Sequence, residues 1–331
     1  MTATDVAGNL GADPSNRASP ASGCSIAVVI LTFDEALHIR RAIESVRSFA
    51  GDILVVDSHS TDATVALAEA AGARVLQHRF VNQARQFQWA MDHGDITADW
   101  VLRLDADEVI EPDLQRALIE KLPSLPADVS GVNFARKHIF MGRWVRRGGR
   151  YPLYLLRLWR NGLGRVEDRW MDEHVVISSG RTIILKGGFA DINLKDLTAF
   201  TDKHNSYATR EAIEVLSRRY GLLERDGALS SRSNSRQAAT KRRIKEKLYN
   251  ALPLWAGPLG YFLYRYIIQL GFLDGREGLI YHVLQGFWYR FLVAAKIEEF
   301  DRVLRKCPDR PAKIEALSRM SGYDLSAQDG E

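Results

Sequence analysis

The sequence predicts an α/β fold, a mixed and mainly parallel sheet with helices on both faces, followed by a helical C-terminal segment. Three observations predict it. Short apolar runs rich in β-branched residues recur between residues 26 and 104, and helical spacings of apolar residues separate them. Carboxylates and hydroxyls cluster just after three of these runs. The chain has 331 residues, 46% apolar and 26% charged. That balance excludes a wholly disordered protein, a collagen-like fibre and a polytopic transporter.

Ile26 to Leu31 is continuously apolar, as a strand buried on both faces must be. Ile39, Ala42, Ile43 and Val46 then recur three and four apart, the stripe of a helix packing on the sheet. Ile53 to Val56 repeats the strand pattern and ends in Asp57. Ser60, Thr61 and Asp62 offer capping oxygens to a helix reaching Ala71, where Gly72 stops it. Arg74 to Leu76 predicts a third strand, Gln83 to Met91 a third helix, and Trp100 to Leu104 a fourth strand. Pro112 opens the next helix. Further on, Tyr154 to Trp159 and Gly164 to Asp168 read as a strand pair.

Residues 1–24 are rich in Ala, Gly, Ser, Asn and Pro and read as a flexible leader, without the charged start and apolar run of a secretory signal. Residues 301–331 are mixed and charged, predicting one short helix and a loose tail. Cys24 and Cys307, the two cysteines, lie at opposite ends, which argues against a disulfide framework or a Cys-based metal site and fits a reducing cytoplasm. The expected division is a catalytic unit over 25–225, with a nucleotide half at 25–110 and an acceptor half at 111–225. Basic and aromatic helices over 226–300 complete it.

In open α/β sheets ligands bind beyond the carboxyl ends of the strands. Those ends carry Thr32-Phe33-Asp34-Glu35, Asp57 to Asp62, and Asp105-Ala106-Asp107-Glu108. No Gly-x-Gly-x-x-Gly follows the first strand and no P-loop is present, so neither a dinucleotide site nor a P-loop phosphate site is expected. Acidic walls repel a diphosphate unless a cation intervenes. Asp105 and Asp107 are the natural ligands for Mg2+ or Mn2+, hard ions that share oxygen ligands with substrate phosphates.

The ordered series ILTFDE, VVDSHSTDAT and LRLDADE resembles the family 2 glycosyltransferases of the GT-A fold, over roughly residues 25 to 135. The segments FMGRWVRRGGRYP and LRLWRNGLGRVEDRWMDEHV resemble the bacterial branch acting on lipopolysaccharide core and exopolysaccharide, and extend the likeness to about residue 200. The resemblance implies that Thr32 and Phe33 flank the nucleotide base, that Glu35 supports their loop, and that Asp57 accepts a hydrogen bond from the base. Asp34 stands where family members carry Asn; capping the first helix is the plainer role for it and for Glu35. Arg85 matches a family arginine near the nucleotide, with a solvated helix face as the alternative. Asp105 and Asp107 become the Asp-x-Asp motif, Asp107 the surer ligand. The donor is a nucleotide-diphosphate sugar, with uridine favoured by the resemblance alone.

Inverting transfer needs a base for the acceptor hydroxyl. By resemblance this is Glu173, with Asp172 close behind and His174 a third candidate; the start of a helix is the alternative use of the two acids. Arg143 to Tyr151 is basic, aromatic and glycine-bearing, suited to covering a sugar diphosphate or holding a phosphorylated acceptor. No nucleic-acid module accompanies it, so nucleic acid is not an expected partner.

Between residues 231 and 250 stand seven cations and one anion, followed by the aromatic-rich apolar run LYNALPLWAGPLGYFLY. A spanning helix needs about 20 apolar residues, and Pro253, Gly257, Pro258 and Gly260 break the run. The expectation is a peripheral platform on an anionic membrane, with Trp255, Tyr261, Tyr264, Trp288 and Tyr289 at head-group depth. Buried helices or a contact between copies of the chain, in a homo-oligomer, are the competing uses. Together these features predict a transferase serving a lipid-linked saccharide acceptor at the cytoplasmic face of a bacterial inner membrane. Two rivals differ in testable ways. A nucleotidyltransferase calls for a glycine-rich phosphate loop after the first strand, which is missing. A non-catalytic lipid- or glycan-binding scaffold needs no intact acidic residues, and Asp105, Asp107 and Glu173 are all present.

Overall fold

The structure is a computed structural model, and it describes residues 24–166, 175–222 and 253–325. Among these residues a main sheet of nine strands forms in the order β3-β2-β1-β4-β8-β6-β11-β5, with β7 attached to β6. The first four are β1 (Ile26–Thr32), β2 (Asp52–Asp57), β3 (Arg74–Gln77) and β4 (Trp100–Asp105), all parallel. Between them run α1 (Ile39–Val46), α2 (Thr64–Ala70) and α3 (Gln83–His93). Successive side chains of a strand face opposite ways. Val28 and Ile30 therefore enter the core shared with Ile39, Ile43 and, from α4 (Pro112–Lys121), Leu114 and Leu118. Val29, Leu54 and Val101 meet Ala84, Phe87 and Ala90 of α3 on the other face. Helices thus cover both faces, as the continuous apolar runs require.

Beyond β4 the sheet becomes mixed. β8 (Leu153–Arg160) lies antiparallel between β4 and β6 (Val129–Phe140), and β11 (Arg181–Ile192) runs parallel to β6. β7 (Arg143–Val145) folds back on β6, and β5 (Glu108–Ile110) pairs with β11. Only two residues separate β4 from β5, so the far edge of the sheet must curl back toward β4. Two reversals make β6 and β11 parallel to β1 and β4, and their carboxyl ends share one edge.

The expected strand pair at 154–168 is corrected. Its first strand is β8, within the main sheet. Its second, β9 (Gly164–Val166), pairs with β10 (Val175–Ile177) in a separate two-stranded sheet. Asp168 falls outside the described residues.

The C-terminal part begins with α5 (Leu197–Tyr220), capped by Asp196, whose side chain accepts from the Ala199 amide at 2.9 Å. After α6 (Ala256–Leu263) the chain passes through a π-turn at Tyr264–Ile268 and a 3-10 turn at Gly271–Asp274. It then continues as α7 (Gly275–Tyr281), a second π-turn at His282–Trp288 and α8 (Tyr289–Leu304). Residues 301–325 do not hang free: α9 (Arg310–Ser321) places Ile314 and Leu317 in a second core with Ile213 and Leu216 of α5 and Phe300 and Leu304 of α8. Among the described residues no helix is long and apolar enough to cross a membrane. Tyr289, expected at head-group depth, turns inward instead: it is 8% exposed and its hydroxyl donates to Glu211 at 2.6 Å.

Candidate active site

A cleft of about 1390 Å3 opens at the carboxyl edge of the sheet. Its floor comes from the ends of β4, β6 and β11, and its far wall from α5, α7 and α8. Phe33, Glu35, Asp105, Asp107, His138, Asp191, Lys203 and Tyr289 are among its lining residues.

The loop after β1 is laced to the loop after β2. Asp34 adopts a left-handed backbone (φ +52), which Asp and Asn tolerate best among residues with a side chain, and its carboxylate accepts from the Thr61 amide at 2.8 Å. It makes no cap on α1. The lacing leaves Phe33 56% exposed at the cleft, an apolar ring offered to solvent. Thr32 faces inward and donates its hydroxyl to Asp57 Oδ1 at 2.9 Å. Asp57 is fully buried; its other oxygen accepts from the Ser60 amide at 2.8 Å, so its carboxylate holds these two loops together. Arg85 lies half-buried in the first turn of α3 and is not among the residues lining the cleft.

Glu35 ties the loop after β1 to the 193–195 loop after β11. The Leu194 amide donates to His38 Nε2 at 2.8 Å, which leaves the ring proton on Nδ1, 2.5 Å from Glu35 Oε2. Lys195 Nζ meets the other Glu35 oxygen at 2.9 Å. Burial resists the Glu35 charge, but His38 and Lys195 outweigh it and hold the carboxyl below its ordinary range. Arg41 of α1 adds a further clasp by donating to the Ile192 carbonyl at 2.7 Å.

Asp105 and Asp107 both reach the cleft, yet their surroundings differ. Arg157 of β8 donates to Asp105 Oδ2 at 3.0 Å and to Glu108 Oε1 at 2.5 Å. Burial works against the Asp105 charge, but Arg157 and then Arg103 prevail and hold it well below the carboxylate range. Glu108, more deeply buried and beside the Asp105 charge, is pushed up to about 8. Asp107 accepts from Asn193 Nδ2 at 3.1 Å, and among the described residues no arginine pairs with its carboxylate. Burial, and then the charges of Asp191, Asp105 and Glu35, push its carboxyl up against the opposing charge of Lys203. An acid crowded by other acids is where a cation binds to advantage.

Among the described residues no group of three His, Cys, Asp or Glu side chains converges as a ready metal cage. Mg2+ needs no such cage, since one or two carboxylates and substrate phosphates suffice. Asp107 fits that role. Asp105 fits it less well, because Arg157 and Arg103 already balance its charge. Asp172, Glu173 and His174 lie outside the described residues.

Sequence reasoning missed the groups on β11, β6 and α5. Asp191 accepts from His138 Nδ1 at 3.0 Å, and this bond, with Arg136 behind it, keeps Asp191 ionised despite its burial. Lys203 lines the cleft from α5; burial disfavours its charge, but Tyr207 and the acids around it more than restore it. The signal was available, since Asp191-Ile-Asn193-Leu-Lys195 follows an apolar strand as the earlier acidic clusters do. The basic loop at 143–151 is clamped from outside. Arg265 Nε donates to the Gly148 carbonyl at 2.5 Å, and the Arg147 amide donates to Asp274 Oδ2 at 2.7 Å. Gly148 has φ +64, and a Cβ there would stand 2.3 Å from His282 Cε1, so this crossing admits only glycine.

Residues 27–187 match the model of the family described as Glycosyl transferase family 2. An uncharacterized glycosyltransferase of Rickettsia felis is 41% identical over 90 residues, 27% of this chain and 31% of that protein. The lipopolysaccharide core biosynthesis glycosyltransferase LpsC of Rhizobium meliloti is 31% identical over 150 residues, 43% of this chain and 53% of LpsC. The chain therefore spans about a third to a half of the length of these relatives. A Mycobacterium tuberculosis glucosyl-3-phosphoglycerate synthase, crystallised with Mn2+, UDP and glucosyl-3-phosphoglycerate, superposes with a TM-score of 0.30 at 22% identity, over 35% of this chain and 44% of that one. With three acidic strand ends in order at one sheet edge and the family match running from β1 into β11, residues 27–187 form a glycosyltransferase family 2 region.

Proposed function

We propose that the chain is an inverting, metal-dependent glycosyltransferase. It moves a sugar from a nucleotide-diphosphate donor, a UDP-sugar first, to a lipid-linked saccharide in lipopolysaccharide core or exopolysaccharide assembly. It works peripherally at the cytoplasmic face of a bacterial inner membrane. The observation that carries the reading is the asymmetry of the cleft floor, where Asp105 is balanced by arginine and Asp107 is left crowded by acids. The name of the LpsC relative supports the glycan class.

In this reading Phe33 offers its exposed ring to the base, and Glu35, through His38 and Lys195, holds the 193–195 loop over the donor. Asp107 holds Mg2+ or Mn2+, with Asp105 its weaker partner, and the ion, when bound, offsets the charge that gathers on the diphosphate. Lys203 supplies a fixed positive charge from the opposite wall. Glu173, or Asp172 beside it, accepts the proton of the acceptor hydroxyl. The hydroxyl oxygen forms a bond to the anomeric carbon from the face opposite the diphosphate, which departs with the electron pair of the broken bond.

The test is turnover of a panel of UDP-, GDP- and dTDP-sugars with Mn2+ and bacterial membrane lipid extract. The expected result is release of one nucleoside diphosphate matched by sugar in the lipid fraction. Pyrophosphate release from a nucleoside triphosphate and a sugar phosphate would assign the cleft to nucleotidyl transfer instead.

A further inference from the structure

The segment 253–275 is built inside out. Every exposed residue in it is apolar, aromatic or glycine, and it includes Trp255, Tyr264, Ile267, Ile268, Phe272 and Leu273. Ile268 is 69% exposed and Trp255 52%. The two charged residues of the segment do the reverse: Arg265 is 7% exposed and Asp274 5%. Both serve to fasten the segment to the catalytic unit, Arg265 on the Gly148 carbonyl and Asp274 on the Arg147 amide. A surface helix in water carries its charges outward and its large apolar groups inward. Here anchoring has drawn the charges in, and aliphatic and aromatic side chains remain outside. Scattered apolar residues need no explanation, but this density of exposed large apolar side chains within one short segment marks a binding surface.

We propose that this face is the seat of the protein on an anionic lipid bilayer, lying in the interface rather than crossing it. Three features favour a bilayer over a protein partner. The face contains no exposed charge, and its exposed hydrogen-bonding groups are the Tyr264 hydroxyl and the Trp255 indole N–H, which offer little to fix the register of a protein interface. Trp255 and Tyr264 are the residue types that settle at head-group depth. The sequence just before the face carries seven cations and one anion between residues 231 and 250, which matches a negatively charged lipid surface. The elements here are a short helix, a π-turn and a 3-10 turn, too short to span and well suited to lying flat.

Tyr281, Gln285, Tyr289 and Arg290, in the elements that follow directly, line the cleft. The seat and part of the cleft wall therefore belong to one continuous run of helical elements. The inference deepens the peripheral placement proposed above. It stands apart from the chemistry of transfer, because lipid binding is read without donor or acceptor.

The test is co-sedimentation of the full chain with vesicles of phosphatidylglycerol and phosphatidylethanolamine, against vesicles of phosphatidylcholine alone. The expected result is binding at least tenfold tighter to the anionic vesicles. The double variant Ile268→Glu/Phe272→Glu should lower that affinity at least tenfold while keeping the circular dichroism spectrum and thermal midpoint of the parent. Should the variant not fold, bromine-labelled lipid decides: it should quench fluorescence of the parent and quench Trp255→Phe measurably less. Equal quenching in both proteins, equal vesicle binding by a folded double variant, or a lipid-free dimer that this variant converts to monomer would each overturn the proposal. The last result would assign the face to a second copy of the chain.

Discussion

Replacing Arg157 by Met tests the electrostatics of the cleft floor. Arg157 is 8% exposed and bridges two carboxylates, Asp105 Oδ2 at 3.0 Å and Glu108 Oε1 at 2.5 Å. Methionine keeps much of the stem volume against Phe189 and removes the charge. Taking away one partner of a buried ion pair costs about 3–5 kcal/mol. Two features place this case at the lower end. Glu108, already pushed up to about 8, takes a proton near neutral pH, and Asp105 is 33% exposed and can recruit water. The expected loss is about 3 kcal/mol, read as a lower urea midpoint at unchanged m-value. Adding Glu108→Gln to Arg157→Met should restore about 1 kcal/mol, because the pair then lacks one buried acid. A single variant within about 0.5 kcal/mol of the parent, the scale of an ordinary surface change, would refute the claim that Arg157 neutralises Asp105.

Three further outcomes follow from named contacts. Glu173→Gln should fold and bind nucleotide yet lose at least about 100-fold in kcat, the scale of general-base catalysis, whereas Asp172→Asn should retain activity; the opposite pattern in steady-state kinetics exchanges their roles. His38→Ala should speed hydrogen exchange of the Leu194 amide, which donates to His38 Nε2 at 2.8 Å, and cost about 1–3 kcal/mol; unchanged protection would show that the clasp does not hold the 193–195 loop. His282 gives the pH dependence. Burial, then the charges of Arg265 and Arg150, push it down from 6.5 to about 4, so the unfolded chain takes its proton first on acidification. Its contribution is complete above pH 6.5 and declines as pH falls toward 4, amounting to no more than about 2 kcal/mol between pH 6.5 and 5. Urea unfolding at these two pH values should show the fall, and His282→Phe should flatten it; an equal slope in the variant would remove His282 as the cause.

The N-terminal half was legible because each of its signals is local. A strand buried on both faces reads as an unbroken apolar run, and the acids that follow it mark the binding edge, as at Ile26–Thr32 and Trp100–Asp105. β11 follows the same rule, but Gly187 and Gly188 interrupt it at a register shift, and its place beside β6 depends on β8 inserting between β4 and β6. Nothing local encodes that order, so Asp191, Asn193 and Lys195 were not recognised as members of the cleft. Arg157 reads as an ordinary strand cation until the pairing of β8 with β4 brings it to Asp105. Aromatic residues at a membrane surface and in a cleft wall look alike in sequence. Trp255 faces out and Tyr289 faces in, and the difference lies in Glu211, a partner 78 positions away from Tyr289.

The most direct test of the account is calorimetric titration of UDP into the parent chain and into Asp107→Asn, with and without Mn2+. The account predicts that Mn2+ tightens UDP binding at least tenfold in the parent and leaves it unchanged in the variant. Equal affinity in all four titrations, or a metal effect that survives the substitution, would contradict the assignment of Asp107 as the residue that joins metal to nucleotide.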